Sequence, residues 1–119
     1  MIILGINAYH GDAAACIFKD DTIIAAAEEE RFTRIKHAAG FPINAIKYCI
    51  DESKISIDQI EHITINRNPK QKFIKKALYA STKLFNLEFI KNRISNLKKI
   101  NSLKTELENH FGVKIKSKI

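Results

Sequence analysis

Two stretches of the 119 residues bring together side chains at spacings that chemistry can use. The first is Gly5-Ile6-Asn7-Ala8-Tyr9-His10-Gly11-Asp12-Ala13-Ala14-Ala15. Its polar middle, Asn7 to Asp12, reads as a tight turn between two strands. Such a turn exposes backbone N–H groups that can bind phosphate oxygens, and Gly11 permits close backbone approach. His10 and Asp12 stand two apart at the tip, where they could act on a proton or a charged ligand. An Asp in a turn is also an ordinary turn former, so the pattern alone leaves both readings open.

The second stretch is Glu28-Glu29-Glu30-Arg31-Phe32-Thr33-Arg34-Ile35-Lys36-His37. Three carboxylates abut three cations and a histidine. If the preceding strand continues through it, Glu28 and Glu30 share one face and Glu29 takes the other, so one side is expected to be partly buried and paired. A structural ion-pair network that orders the loop is one reading. The other uses Arg34 and Lys36 to hold an anionic ligand. Metal binding finds no support in the spacing: His10, His37, His62 and His110 lie far apart, without ligand periodicity.

The elements that must position these residues can be read from hydrophobic periodicity. Ile2, Ile3, Leu4 and Ile6 form a short buried strand, Ala13 to Phe18 a second, and Thr22 to Ala27 a third. Asp20-Asp21 is a two-residue turn, so the three strands form an antiparallel meander. The many alanines in strands two and three allow another layer to approach closely. Glu28 to Gly40 reads as polar and irregular. Pro42 opens a helix carrying Ile43, Ile46, Cys49 and Ile50 on one stripe. Ser56 and Gln59 have capping-box spacing for one short turn. Ile63 and Ile65 mark a fourth strand, followed by a loop at 66–70.

Two helical stripes follow, one from Phe73 to Phe85 and one from Phe89 to Leu107, with Gly112 as a stop. Val113, Ile115 and Ile119 alternate with lysines and predict a last strand. The expected order is β-β-β-α-β-α-α-β, an α/β chain. A strand running to Ile119 leaves an edge that invites pairing, so a truncated domain and some self-association are expected.

Composition narrows the class. The chain is 45% hydrophobic and 28% charged, with four Gly, two Pro and two Cys, which excludes collagen-like, disordered and disulfide-scaffold proteins. Cys16 and Cys49, both in apolar surroundings, read as buried free thiols of a cytoplasmic protein. No apolar run approaches ~18 residues, so no membrane span is expected, and the N-terminus lacks the pattern of a secretory leader. The net charge of +7 is uneven, −4 over residues 1–62 and +11 over 63–119. The basic half is lysine-rich and lacks interleaved aromatics, which favours a solvated helix face over nucleic-acid binding.

Ile3 to Ala15 resembles the N-terminus of the nodulation/antibiotic O-carbamoyltransferase family. So does Ala25 to His37 with the following Gly40-Phe41-Pro42. Two separated motifs in the right order make the resemblance specific over about residues 1–50. It implies the N-terminal part of an actin/hexokinase-like (ribonuclease H-like) ATPase domain, with residues 1–119 as a single partial domain and a YrdC-like domain outside this chain. It implies that carbamoyl phosphate and ATP yield a carbamoyl adenylate, whose carbamoyl group passes to a hydroxyl of a small molecule. A divalent, iron-type metal is implied too, with ligands beyond Ile119.

Carried onto these residues, the resemblance makes His10 and Asp12 catalytic, activating or binding the acceptor. Asn7, Gly11, Arg34, Lys36 and Arg67 would bind substrate or adenylate. The isolated chain is then expected to be inactive. The rival reading is a non-catalytic actin-like half-domain that docks a protein or RNA. It leaves His10 and Asp12 replaceable, whereas the enzyme requires them.

Overall fold

Alternating apolar residues need a partner on only one side, and the first 66 residues supply that pattern strand by strand. The computed structural model describes residues 1–9, 11–66 and 103–117. Strands β1 (Ile2–Asn7), β2 (Ala14–Lys19) and β3 (Thr22–Glu28) form the expected antiparallel meander. Asp20 and Asp21 both adopt left-handed backbone, φ 46° and 68°, as a two-residue turn matched to strand twist requires. Strand β4 (His62–Ile65) pairs parallel to β1 and completes a mixed sheet of order β3-β2-β1-β4.

Register lines up Leu4, Ile17, Ala25 and Ile63 on one face, all buried. Helix α2 (Ile43–Ser53) lies across β2 and β3 and covers that face with Ala45, Ile46 and Cys49. Pro42 is the N-cap of α2, and its carbonyl accepts the Ile46 N–H at 3.0 Å. Burying Ile46 completely is worth about 2–5 kcal/mol by the cost of truncating such side chains to Ala. Cys49 is a buried free thiol, whereas Cys16 is half-buried. The Ser56–Gln59 box is present: the Gln59 side-chain carbonyl accepts the Ser56 N–H at 2.9 Å and starts a 3-10 turn, Ile57–Gln59.

Two readings of the sequence are corrected. The stretch after β3 is not irregular throughout, because it contains a one-turn helix, α1 (Glu30–Thr33), ended by Arg34 in left-handed backbone. Residues 113–117 form no strand. Helix α3 (Leu103–Phe111) stops at Gly112, whose φ of 67° suits glycine and whose N–H donates to the Glu108 carbonyl at 2.8 Å. The chain then turns back: the Ile115 N–H donates to Glu108 Oε1 at 2.9 Å, and the Ser117 hydroxyl donates to the Ile60 carbonyl. Ile115 and Ser117 are buried while Lys114 and Lys116 are exposed, so the alternation reports one-sided burial without ladder pairing. The stripes over residues 73–102 lie outside the described residues, as does any strand at 118–119.

Candidate functional site

The sheet face opposite α2 is lined by small side chains. Thr64, Gly5, Cys16 and Ala26 stand in register across all four strands, and Asn7, Ala14 and Glu28 form the next row. Gly5 suits the close approach there, because a β-carbon would meet Cys16 Sγ at 2.8 Å and one of the two would have to shift. These rows floor an open cleft of about 940 Å³, walled by Glu28, Arg31, Phe32 and Tyr48 at one side and by Asn66 at the other. The Phe32 and Tyr48 rings lie 5.7 Å apart, tilted. Asn7 and Asn66 sit at the carboxyl ends of the parallel pair β1 and β4, the end at which open α/β sheets bind ligands. Their side chains are joined, Asn66 Nδ2 donating to Asn7 Oδ1. Asn7 Nδ2 in turn donates to the Asp12 carbonyl at 2.7 Å.

The sequence-based site residues separate into groups. Asn7 lines the cleft. Gly11 and Asp12 gather instead around His37, whose Nδ1 lies 2.7 Å from Asp12 Oδ1. That carboxylate holds the imidazole pKa above its ordinary value through the hydrogen bond first and its charge second, with a further push from Glu30. Arg34 and Lys36 are exposed and are not among the residues lining the cleft. His10 and Arg67 lie outside the described residues.

Three residues that spacing alone did not single out emerge. Arg31 is the cation that lines the cleft, because the turn of α1 brings it there while Arg34 leaves as the helix ends. His37 is the histidine that meets Asp12. Tyr9 donates its hydroxyl to Glu106 Oε2 on α3, and burial first, that carboxylate second, push its pKa up. The short helix and the left-handed turns decide these placements, and no strand-period or helix-period signal marks them.

The glutamate triplet also divides. Glu28 ends β3 at the cleft, and Glu30 Oε2 accepts the His37 N–H at 3.2 Å. Glu29 is buried and caps the N-terminus of α2: its carboxylate accepts the Ala45 N–H at 2.9 Å and Asn44 Nδ2 at 2.6 Å. The expected buried, paired carboxylate is therefore present, but its partners are helix N–H and amide donors rather than a cation.

The cleft is large enough to take a nucleotide-sized ligand, and Arg31 on its wall offers a cation to one. Among the described residues no three His, Cys, Asp or Glu side chains gather at a possible cation site. No helix among them is long and apolar enough to cross a membrane.

A family model described as "Carbamoyltransferase N-terminus" matches residues 2–118. Similar proteins include an uncharacterized protein of Synechocystis, 49% identical over 67 residues, which is 56% of this chain and 11% of the relative. Nodulation protein NolNO of Sinorhizobium fredii is 39% identical over 57 residues, 48% of this chain and 8% of that protein. An uncharacterized protein of Methanocaldococcus jannaschii is 38% identical over 64 residues, 54% of this chain and 12% of the relative. The matched stretch thus spans about a tenth of each of these relatives.

Proposed function

The chain belongs to the carbamoyltransferase N-terminal family, and from that membership we propose that it forms the acceptor side of a carbamoyl-transfer site. The observation that carries this reading is the cleft at the carboxyl ends of β1 and β4, rimmed by Asn7 and Asn66. On this reading the sheet begins an actin-like ATPase domain, and the carbamoyl donor is a carbamoyl adenylate made from carbamoyl phosphate and ATP by a second domain. A cytoplasmic setting follows from the need for ATP.

The chemistry assigned to these residues is simple. His10 takes the proton of the acceptor hydroxyl, since an imidazole titrates near neutrality. The acceptor oxygen bonds to the carbamoyl carbon, the bond from that carbon to the adenylate oxygen breaks, and AMP leaves. Asn7 and Gly11 orient the ligand with amide and backbone donors, and Asp12 helps hold the acceptor's loop. Arg31 stabilises the anionic adenylate from the cleft wall; the family resemblance adds Arg34, Lys36 and Arg67 to that role, with Arg34 and Lys36 reaching the ligand from outside the cleft lining.

The test is His10→Ala in the carbamoyl-transferring protein. Loss of a general base lowers transfer by about 10²–10⁴-fold while leaving the circular dichroism spectrum unchanged. Wild-type transfer by that variant removes His10 from the mechanism.

A further inference from the structure

Among the described residues of the β1–β2 loop, Tyr9 (φ 64°) and Asp12 (φ 62°) are held in left-handed backbone. Such conformations persist where surrounding contacts over-determine them. Here the contacts come from residues 37–40. The Tyr9 N–H donates to the Gly40 carbonyl at 2.9 Å, and the Ala13 N–H donates to the Ala38 carbonyl at 3.0 Å. The loop is therefore pinned on both sides of Gly11 and Asp12. His37, itself left-handed at φ 55°, adds the side-chain contact to Asp12 at 2.7 Å. Its own N–H is tied to Glu30 of α1 at 3.2 Å, so the clamp is anchored to the end of the meander.

We propose that His37 is a positioning residue: its imidazolium, held on Asp12, closes the β1–β2 loop onto residues 37–40 and so sets how that loop is presented to the acceptor. Only the consequence for the acceptor rests on the carbamoyl-transfer reading; the clamp itself does not.

The charged groups around the imidazole fix the sign of its pH dependence. Among the described residues, Asp12 faces it from the loop and Glu30 from α1, and both favour the charged ring. Arg34 and Lys36 lie on its own segment. Because the folded pKa is raised, the clamp is at full strength below the ordinary imidazole value and is lost as pH rises through the folded value. Neutral His37 keeps an N–H for Asp12 but gives up the charge, which leaves a weaker bond. Asn at position 37 would place an amide N–H near the Nδ1 position and tolerates left-handed backbone, so it donates equally at every pH.

The experiment is amide hydrogen exchange by NMR on the full chain between pH 5 and 8.5, read as protection factors for Tyr9 and Ala13. In the wild type both fall roughly threefold to tenfold as His37 deprotonates. His37→Ala loses the protection at all pH values. His37→Asn keeps it without the pH step, and Asp12→Asn moves the imidazole titration back toward its ordinary value, since Glu30 remains. Equal protection in the wild type and His37→Ala at pH 5.5, or a pH step that survives in His37→Asn, overturns the proposal. These readouts need no transfer activity. If the clamp titrates as described in a protein that transfers no carbamoyl group, the functional reading falls and the clamp stands. In a protein that does transfer, His37→Ala is expected to lower kcat/KM for the acceptor and lose the alkaline fall of the profile, with rescue by His37→Asn. An unchanged rate and profile refute the positioning role.

Discussion

Among the described residues Glu29 is the side chain that satisfies the first N–H groups of α2, which makes Glu29→Gln a demanding test of how the fold is held. The carboxylate is 6% exposed and accepts two good hydrogen bonds, from the Ala45 N–H at 2.9 Å and Asn44 Nδ2 at 2.6 Å. A third, from the Asn44 N–H, is long at 3.4 Å and correspondingly weak. Hydrogen bonds to a charged group are worth about 1.5–3 kcal/mol each. A negative charge at a helix N-terminus adds about 0.3–1 kcal/mol. Gln keeps one carbonyl acceptor but turns its NH₂ toward one of the two donors, so one bond and the charge are lost. Relief of the buried charge offsets part of this, because desolvating a carboxylate is itself unfavourable. The net expectation is a loss of about 2–3 kcal/mol, which for a domain near 100 residues lowers Tm by roughly 10–20 °C. Urea unfolding followed by circular dichroism at 222 nm measures the stability, and exchange of the Ala45 amide reports the site. A loss under about 0.5 kcal/mol, the range of ordinary surface changes, refutes the reasoning that this buried carboxylate caps α2.

Two further outcomes follow from the geometry. Gly5→Ala places a methyl 2.8 Å from Cys16 Sγ and is expected to destabilise the chain by about 1–3 kcal/mol. Adding Cys16→Ala should recover most of that loss, and a double-mutant cycle in urea that shows simple additivity excludes the contact. The Tyr9 hydroxyl, raised by burial and by Glu106, should ionise only well above the ordinary tyrosine value. Since the raised group is the neutral form, its stabilising contribution holds below the unfolded pKa of about 10 and is lost as pH rises through the folded value. Absorbance at 295 nm in the wild type and Tyr9→Phe isolates this titration, and an ordinary midpoint contradicts the contact with α3.

Much of the fold was legible because it is written at short range. The alternation in Ile2–Asn7, the Asp20-Asp21 turn, Pro42 ahead of an Ile-rich stripe and Gly112 after Leu107 each act within a few residues. Backbone preference and side-chain period settle such features before any distant contact forms. The stretches that carry the resemblance contain the cleft residues Asn7, Glu28 and Arg31. Local pattern misled at Val113 to Ser117, because alternation records which side is buried and does not tell whether a neighbouring strand exists to pair with. It also missed α1, since a four-residue helix is barely one turn and too short for a hydrophobic stripe to recur.

The candidate site belongs to the other category. His37 meets Asp12 across 25 residues, Glu29 reaches Ala45 across 16, and Tyr9 finds Glu106 across 97. None of these separations carries a periodic signal. Sequence alone determined that a Gly-containing polar loop would follow the first strand and that a charged segment would follow the third. Only the tertiary structure decided their partners, because the parallel docking of β4 on β1, the one-turn helix after β3 and the return of α3 bring together groups whose encounter no local propensity encodes.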